Sequence, residues 1–137
     1  MIEIESRELA DIPVLHAYPV GQKDTPLPCV IFYHGFTSSS LVYSYFAVAL
    51  AQAGLRVIMP DAPDHGSRFS GDAARRLNQF WQILLQSMQE FTTLRAAIAE
   101  ENWLRDDRLA VGGASMGAMT ALGITARHPT MKCTASM

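Results

Sequence analysis

The chain has 137 residues, 49% hydrophobic and 18% charged, with a formal net charge of −2, a composition suited to one globular domain with a buried core. Eleven Lys and Arg face thirteen Asp and Glu, scattered along the chain, so no basic patch exists for a phosphate backbone and nucleic acid is excluded as a partner. The start lacks the cationic and apolar regions of a signal peptide, and no run nears the roughly 20 apolar residues that span a bilayer, which points to a cytoplasmic protein with no membrane partner.

Ile2-Glu-Ile-Glu-Ser-Arg-Glu8 alternates strictly and Val14–Tyr18 follows the turn residues Asp11-Ile-Pro13, which predicts two paired strands. After a loop over Gly21–Pro28, the continuous apolar run Cys29–Tyr33 suits a strand buried on both faces, as in a parallel sheet. Leu41, Tyr45, Val48 and Ala49 define one face of a helix closed by Gly54. Leu55–Met59 reads as the next buried strand, and Asp61–Asp72 as a long loop. A long helix then carries apolar residues at spacings of three and four from Leu77 to Ile98, with a break expected near Gly71. Leu109–Gly113 is a third buried strand, Met116 to about Arg127 a helix stopped by Pro129, and Lys132–Met137 a final strand. Such alternation implies an α/β fold with a mostly parallel sheet and helices on both faces. Two cysteines so far apart, Cys29 and Cys133, suit buried reduced thiols rather than a disulfide framework.

The sharpest chemical signal is Gly113-Ala114-Ser115-Met116-Gly117, a G-x-S-x-G between a buried strand and a small-residue helix. The serine of such a turn stands above the sheet at a helix N-terminus, where free N–H groups favour a developing anion, and the flanking glycines let strand and helix pass closely. The competing reading is a Gly-rich turn with an ordinary N-capping serine. His34-Gly35-Phe36-Thr37, directly after Cys29–Tyr33, offers a second backbone donor for an oxyanion, with Gly35 letting the chain turn so that the Phe36 N–H points inward beside that of Met116.

These two motifs, with Asp61-Ala-Pro-Asp-His-Gly-Ser67 after the intervening strand, resemble the N-terminal half of an α/β-hydrolase. The likeness covers the whole chain and is nearest to small bacterial carboxylesterases related to the prolyl-oligopeptidase and dienelactone-hydrolase groups. It implies Ser115 as nucleophile and the Phe36 and Met116 N–H groups as oxyanion hole, supported by His34, Gly35, Gly113 and Gly117. It also implies a small-molecule ester as substrate, no metal or cofactor, and an antiparallel second strand in the sheet. Asp64 stands where many relatives have Gly, which leaves the conformation of that loop open.

The chemistry is incomplete within the chain. A serine nucleophile needs a histidine base held by a carboxylate, in the chain order Ser, then Asp or Glu, then His. After Ser115 there is no Asp or Glu, and the one His, His128, ends the helix that starts beside the serine. The chain therefore reads as residues 1–137 of a single hydrolase domain, truncated after its sixth strand and inactive alone, with the acid and base beyond Met137. One rescue within the chain is the pair Asp61 and His65, which precede Ser115 in the order Asp, His, Ser. Glu100-Glu101 and Asp106-Asp107 read as a solvated turn. A hydrolase-shaped fragment or binding module is the alternative function, and peptidase, thioesterase or acyltransferase are alternative chemistries for the same nucleophile. Phe36, Phe69 and the start of the long helix are candidates for the pocket wall.

Overall fold

A computed structural model describes residues 1–128 and 133–136. Strands β1 (Ile2–Leu9) and β2 (Ile12–Pro19) form a hairpin, closed by Ala10 and Asp11 at φ 49° and 68°, a pair of left-handed residues whose twist matches that of the strands. The sheet continues with β3 (Leu27–Tyr33), β4 (Arg56–Pro60), β5 (Leu104–Gly113) and β6 (Cys133–Ser136) in the spatial order β1-β2-β4-β3-β5-β6. β2 runs antiparallel to β4, whereas β4, β3, β5 and β6 are mutually parallel.

Side chains of β3 alternate between two cores, as the pleat requires. Phe32 faces helix α1 (Ser44–Gln52), with Ala47, Ala51, Val57 and Met59. Cys29, Ile31 and Tyr33 face α3 (Phe80–Glu100) and α4 (Met116–Arg127), with Phe91, Leu94, Val111 and Ile124. The connection from β3 leads to β4 on one side and that from β4 crosses back to β5 on the other. The crevice between β3 and β5, above the carboxyl ends of the strands, is therefore the switch point where α/β sheets bind ligands.

Three expectations needed correction. The buried face of α1 is Ala47 and Ala51, whereas Leu41 and Tyr45 are 71% and 60% exposed, because the two alanines allow the helix to lie close to the sheet. The long helix breaks at Gln79 rather than Gly71: a short helix α2 (Ala73–Asn78) starts where the Asp72 side chain accepts from the Arg75 N–H, and Gln79 leaves helical geometry at ψ 23°. Leu77, Trp81 and Leu85 consequently lie exposed. β5 starts at Leu104, earlier than expected; Leu27 pairs with Leu104 but Cys29 with Leu109, so the intervening residues bulge out through Asp106 and Asp107, at φ 53° and 55°. Those two aspartates are solvent-exposed, as the sequence suggests. The last strand lies where expected, while Lys132 and Met137 fall outside the described residues.

At the opposite end of the sheet from the crevice, Arg56 is fully buried. It stacks on Trp103 (4.7 Å), donates to His16 Nε2 (2.8 Å) and caps the carbonyls of Thr25 (2.6 Å) and Gln22. His16 also stacks on Trp103 (4.4 Å) and donates from Nδ1 to Glu5 (2.9 Å). Burial pushes the His16 pKa down to about 4, and Arg56 adds to this against the pull of Glu5. Cys29 is a buried free thiol, pushed up to about 12 by its burial although Arg56 acts in the other direction. β5 separates the strands of Cys29 and Cys133, and the Cys133 side chain lies outside the described residues.

Candidate active site

The elbow follows from two glycines. A β-carbon at Gly113 would run into the carbonyl of Gly117, and one at Gly117 into the carbonyl oxygen of Tyr33. These obstacles are backbone and cannot yield, so β5 and α4 pack at a separation only glycine permits. The chain turns between them through Ser115, at φ 58° and ψ −117°, a conformation costly for a residue with a side chain. Ser115 is exposed at the N-terminus of a twelve-residue helix, and its side chain makes no capping hydrogen bond. That disposes of the ordinary N-cap reading: the hydroxyl is held out of local structure.

The loop after β3 lies directly against the elbow. The Ala114 N–H donates to the Tyr33 carbonyl (3.1 Å), and a β-carbon on Gly35 would lie 3.5 Å from Ser115 Cβ. Among the described residues, neither the Phe36 nor the Met116 N–H enters a hydrogen bond, so both donors are unengaged.

Two buried histidines clip this loop to the one after β4. His34 donates from Nδ1 to the Gly35 carbonyl (2.8 Å) and accepts at Nε2 from the Ala62 N–H (3.0 Å). His65 donates from Nδ1 to the Pro63 carbonyl (2.9 Å) and accepts at Nε2 from the Thr37 N–H (2.8 Å). An N–H donor requires an unprotonated acceptor, so these bonds assign both rings as neutral Nδ1–H tautomers. Burial lowers both pKa values from 6.5, outweighing the carbonyl bonds that favour protonation. With both nitrogens of each ring engaged, neither is a base for Ser115.

The Asp61 carboxylate has no contact with His65 that would orient it. It accepts from the Ser40 N–H (3.0 Å) and from the N–H and hydroxyl of Ser67 (3.3 and 2.9 Å). Burial alone would raise its pKa, but these donors together lower it. Its role is to tie the loops after β3 and β4 together, and the Asp61, His65 rescue fails on geometry. Arg68 fastens the same loop to α3 through a bidentate pair with Glu90 (2.8 Å each) and a bond to the Asp61 carbonyl. Asp64 adopts φ 59°, the conformation a glycine would take, and its carboxylate accepts from the Ser70 N–H (2.7 Å). Aspartate tolerates that region because its short polar side chain bonds locally.

His128 lies at the far end of α4 against Phe91 (5.0 Å), about 18 Å along a twelve-residue helix. It is no more available to Ser115 than His16. Phe36 is half-buried against His65 (5.3 Å) and edge-on to Phe80 (5.0 Å), which meets Trp81 (5.0 Å). An aromatic wall thus starts at the Phe36 donor. Phe69 lies instead beneath the Arg76 guanidinium (4.2 Å). A cavity of about 540 Å³ between β1, β2 and the Ser39–Leu41 segment is lined by Asp61 and Ser67 but not by Ser115, so it is separate from the elbow. Thr37 and Ala62, the backbone partners of the two histidines, were not foreseen; no residue type marks an N–H as a histidine's partner. Among the described residues no cluster of three His, Cys, Asp or Glu could hold a metal ion, and no helix is long and apolar enough to cross a membrane.

The family described as serine aminopeptidase, S33 matches residues 24–136. Over 137 residues the chain is 98% identical to a protein of Escherichia coli (strain K12) named esterase YjfP, covering 100% of this chain and 55% of that one. It spans about half the length of the curated relatives it matches. Among solved structures, a cold-adapted esterase from an Arctic intertidal metagenomic library superposes with a TM-score of 0.74 at 22% identity, covering 98% of this chain and 59% of that one. A dienelactone hydrolase from Anabaena variabilis superposes with a TM-score of 0.72 at 22% identity, covering 99% and 62%. The fold is that of the α/β-hydrolases.

Proposed function

Because the chain belongs to the serine aminopeptidase S33 family of hydrolases, we propose that it carries the nucleophile and oxyanion hole of a serine hydrolase acting on small carboxylic esters. The observation that carries this reading is Ser115 itself, a strained, exposed, uncapped serine between two obligatory glycines. Ser115 Oγ attacks the ester carbonyl while a base takes its proton. The carbonyl oxygen becomes an oxyanion and accepts from the Phe36 and Met116 N–H groups, which need no reorganisation because the histidine clips already hold the loop. Collapse expels the alcohol, which takes the proton from the base, and water then releases the acid from acyl-Ser115.

The base and its carboxylate belong to chain beyond the 137 residues, which in this reading form the first part of one hydrolase domain and are inactive alone. In a protein completed to the length of the 98%-identical relative, p-nitrophenyl butyrate is expected to be hydrolysed and an organophosphate to label Ser115. Ser115→Ala should lower kcat by about 10⁴-fold or more; turnover equal to the parent's would refute the assignment. The family description makes aminopeptidase the second reading, and it wins if an aminoacyl p-nitroanilide is cleaved with the higher kcat/KM.

A further inference from the structure

Tyr43 lies just before α1, half-buried, with its ring against Phe32 (6.3 Å) and Phe46 (6.0 Å). Its hydroxyl reaches past these rings to the elbow. A β-carbon on Gly35 would lie 3.1 Å from the Tyr43 oxygen and 3.5 Å from Ser115 Cβ, so both atoms lie within 3.5 Å of one point that the glycine leaves empty. Among the described residues nothing hydrogen-bonds this hydroxyl, and it is not one of the buried orphaned polar atoms, so a ligand can reach it.

The side of Ser115 on which it stands follows from the sheet order. β3, its loop and α1 lie on one side of β5, and β6 on the other. The leaving alcohol takes its proton from the general base, and on the β3 side both ring nitrogens of His34 and of His65 are already engaged. The alcohol therefore belongs on the β6 side and the acyl group on the Tyr43 side.

We propose that Tyr43 is a specificity residue whose hydroxyl donates to an acceptor oxygen on the acyl group, close to the carbonyl. Short hydroxy- or alkoxy-acyl esters are then the favoured substrate class. This rests on Ser115 as nucleophile. Butanoyl and methoxyacetyl groups have the same shape and differ by one CH₂ exchanged for oxygen, so their p-nitrophenyl esters isolate the contact. In the protein completed to its relatives' length, Tyr43→Phe keeps the ring and removes only the donor. It should lower the methoxyacetate-to-butyrate ratio of kcat/KM about three- to tenfold, the usual worth of one neutral hydrogen bond. Tyr43→Leu, which removes the ring as well, should give the same low ratio. An unchanged ratio in Tyr43→Phe beside an inactive Ser115→Ala overturns this inference alone. An active Ser115→Ala overturns the nucleophile reading and this inference with it.

Discussion

Buried histidines occupy both ends of the sheet, and their partners differ in kind. At one end His16 bonds side chains only, Arg56 and Glu5, stacked on Trp103. At the other, His34 and His65 bond backbone only, the N–H groups of Ala62 and Thr37 and the carbonyls of Gly35 and Pro63. A side-chain network holds elements together, whereas a ring bonded to main chain dictates the path of a loop. The first arrangement stabilises the fold; the second holds the main chain on either side of Phe36, at Gly35 and Thr37.

Substitutions should separate the two roles. The largest effect is expected at the elbow, where Gly117→Ala drives a β-carbon into the Tyr33 carbonyl and should abolish the cooperative melt. Arg56→Met removes the donor to His16 and the cap on two carbonyls, and should cost at least about 3 kcal/mol of stability, at about 1–3 kcal/mol for each buried acceptor left unsatisfied, while leaving the kcat of folded protein unchanged. Acid should act on the same network. His16 has a folded pKa of about 4 against 6.5, so the unfolded chain binds the proton first, and its stabilisation is full above pH 6.5 and lost as pH falls towards 4. The loss is on the order of 3 kcal/mol. Glu5, where the His16 bond and the Lys23 and Arg7 charges outweigh burial, is lowered too and extends the loss below pH 4.5. A urea midpoint that stays flat between pH 7 and 4 would contradict this.

His65→Phe should show the opposite pattern to Arg56→Met. It strands the Thr37 N–H for about 1–3 kcal/mol, yet should lower kcat at least tenfold in the completed protein, as the loop carrying Phe36 loses its anchor. Equal kcat in parent and variant would deny the clip its positioning role. The smallest effect concerns the isolated 137 residues. With β6 at the sheet edge and Trp81, Leu77 and Leu122 exposed, they should self-associate in sedimentation at micromolar concentration, and a monomeric species would count against it.

The sheet, the elbow and the loop after β3 were legible because each is written in contiguous residues: apolar runs for strands, paired glycines for the crossing of β5 and α4. Helix faces were less so. Leu41 and Tyr45 look like a core stripe, yet Ala47 and Ala51 are what the sheet accommodates. The Arg56, His16 and Trp103 cluster was invisible, since its members come from three segments 40 or more positions apart and nothing local marks an arginine for burial.

Sequence alone determined the α/β order, the G-x-S-x-G turn and the absence of Asp and Glu from residues 116–137, since each depends on residue type and spacing along one chain. Tertiary structure alone decided that Asp61 and His65 form no dyad, that Asp64 takes a glycine's conformation, and that the Tyr43 hydroxyl stands beside Ser115. Those outcomes depend on which atoms meet across the switch point between β3 and β5, where loops from different strands compete for the same hydrogen bonds.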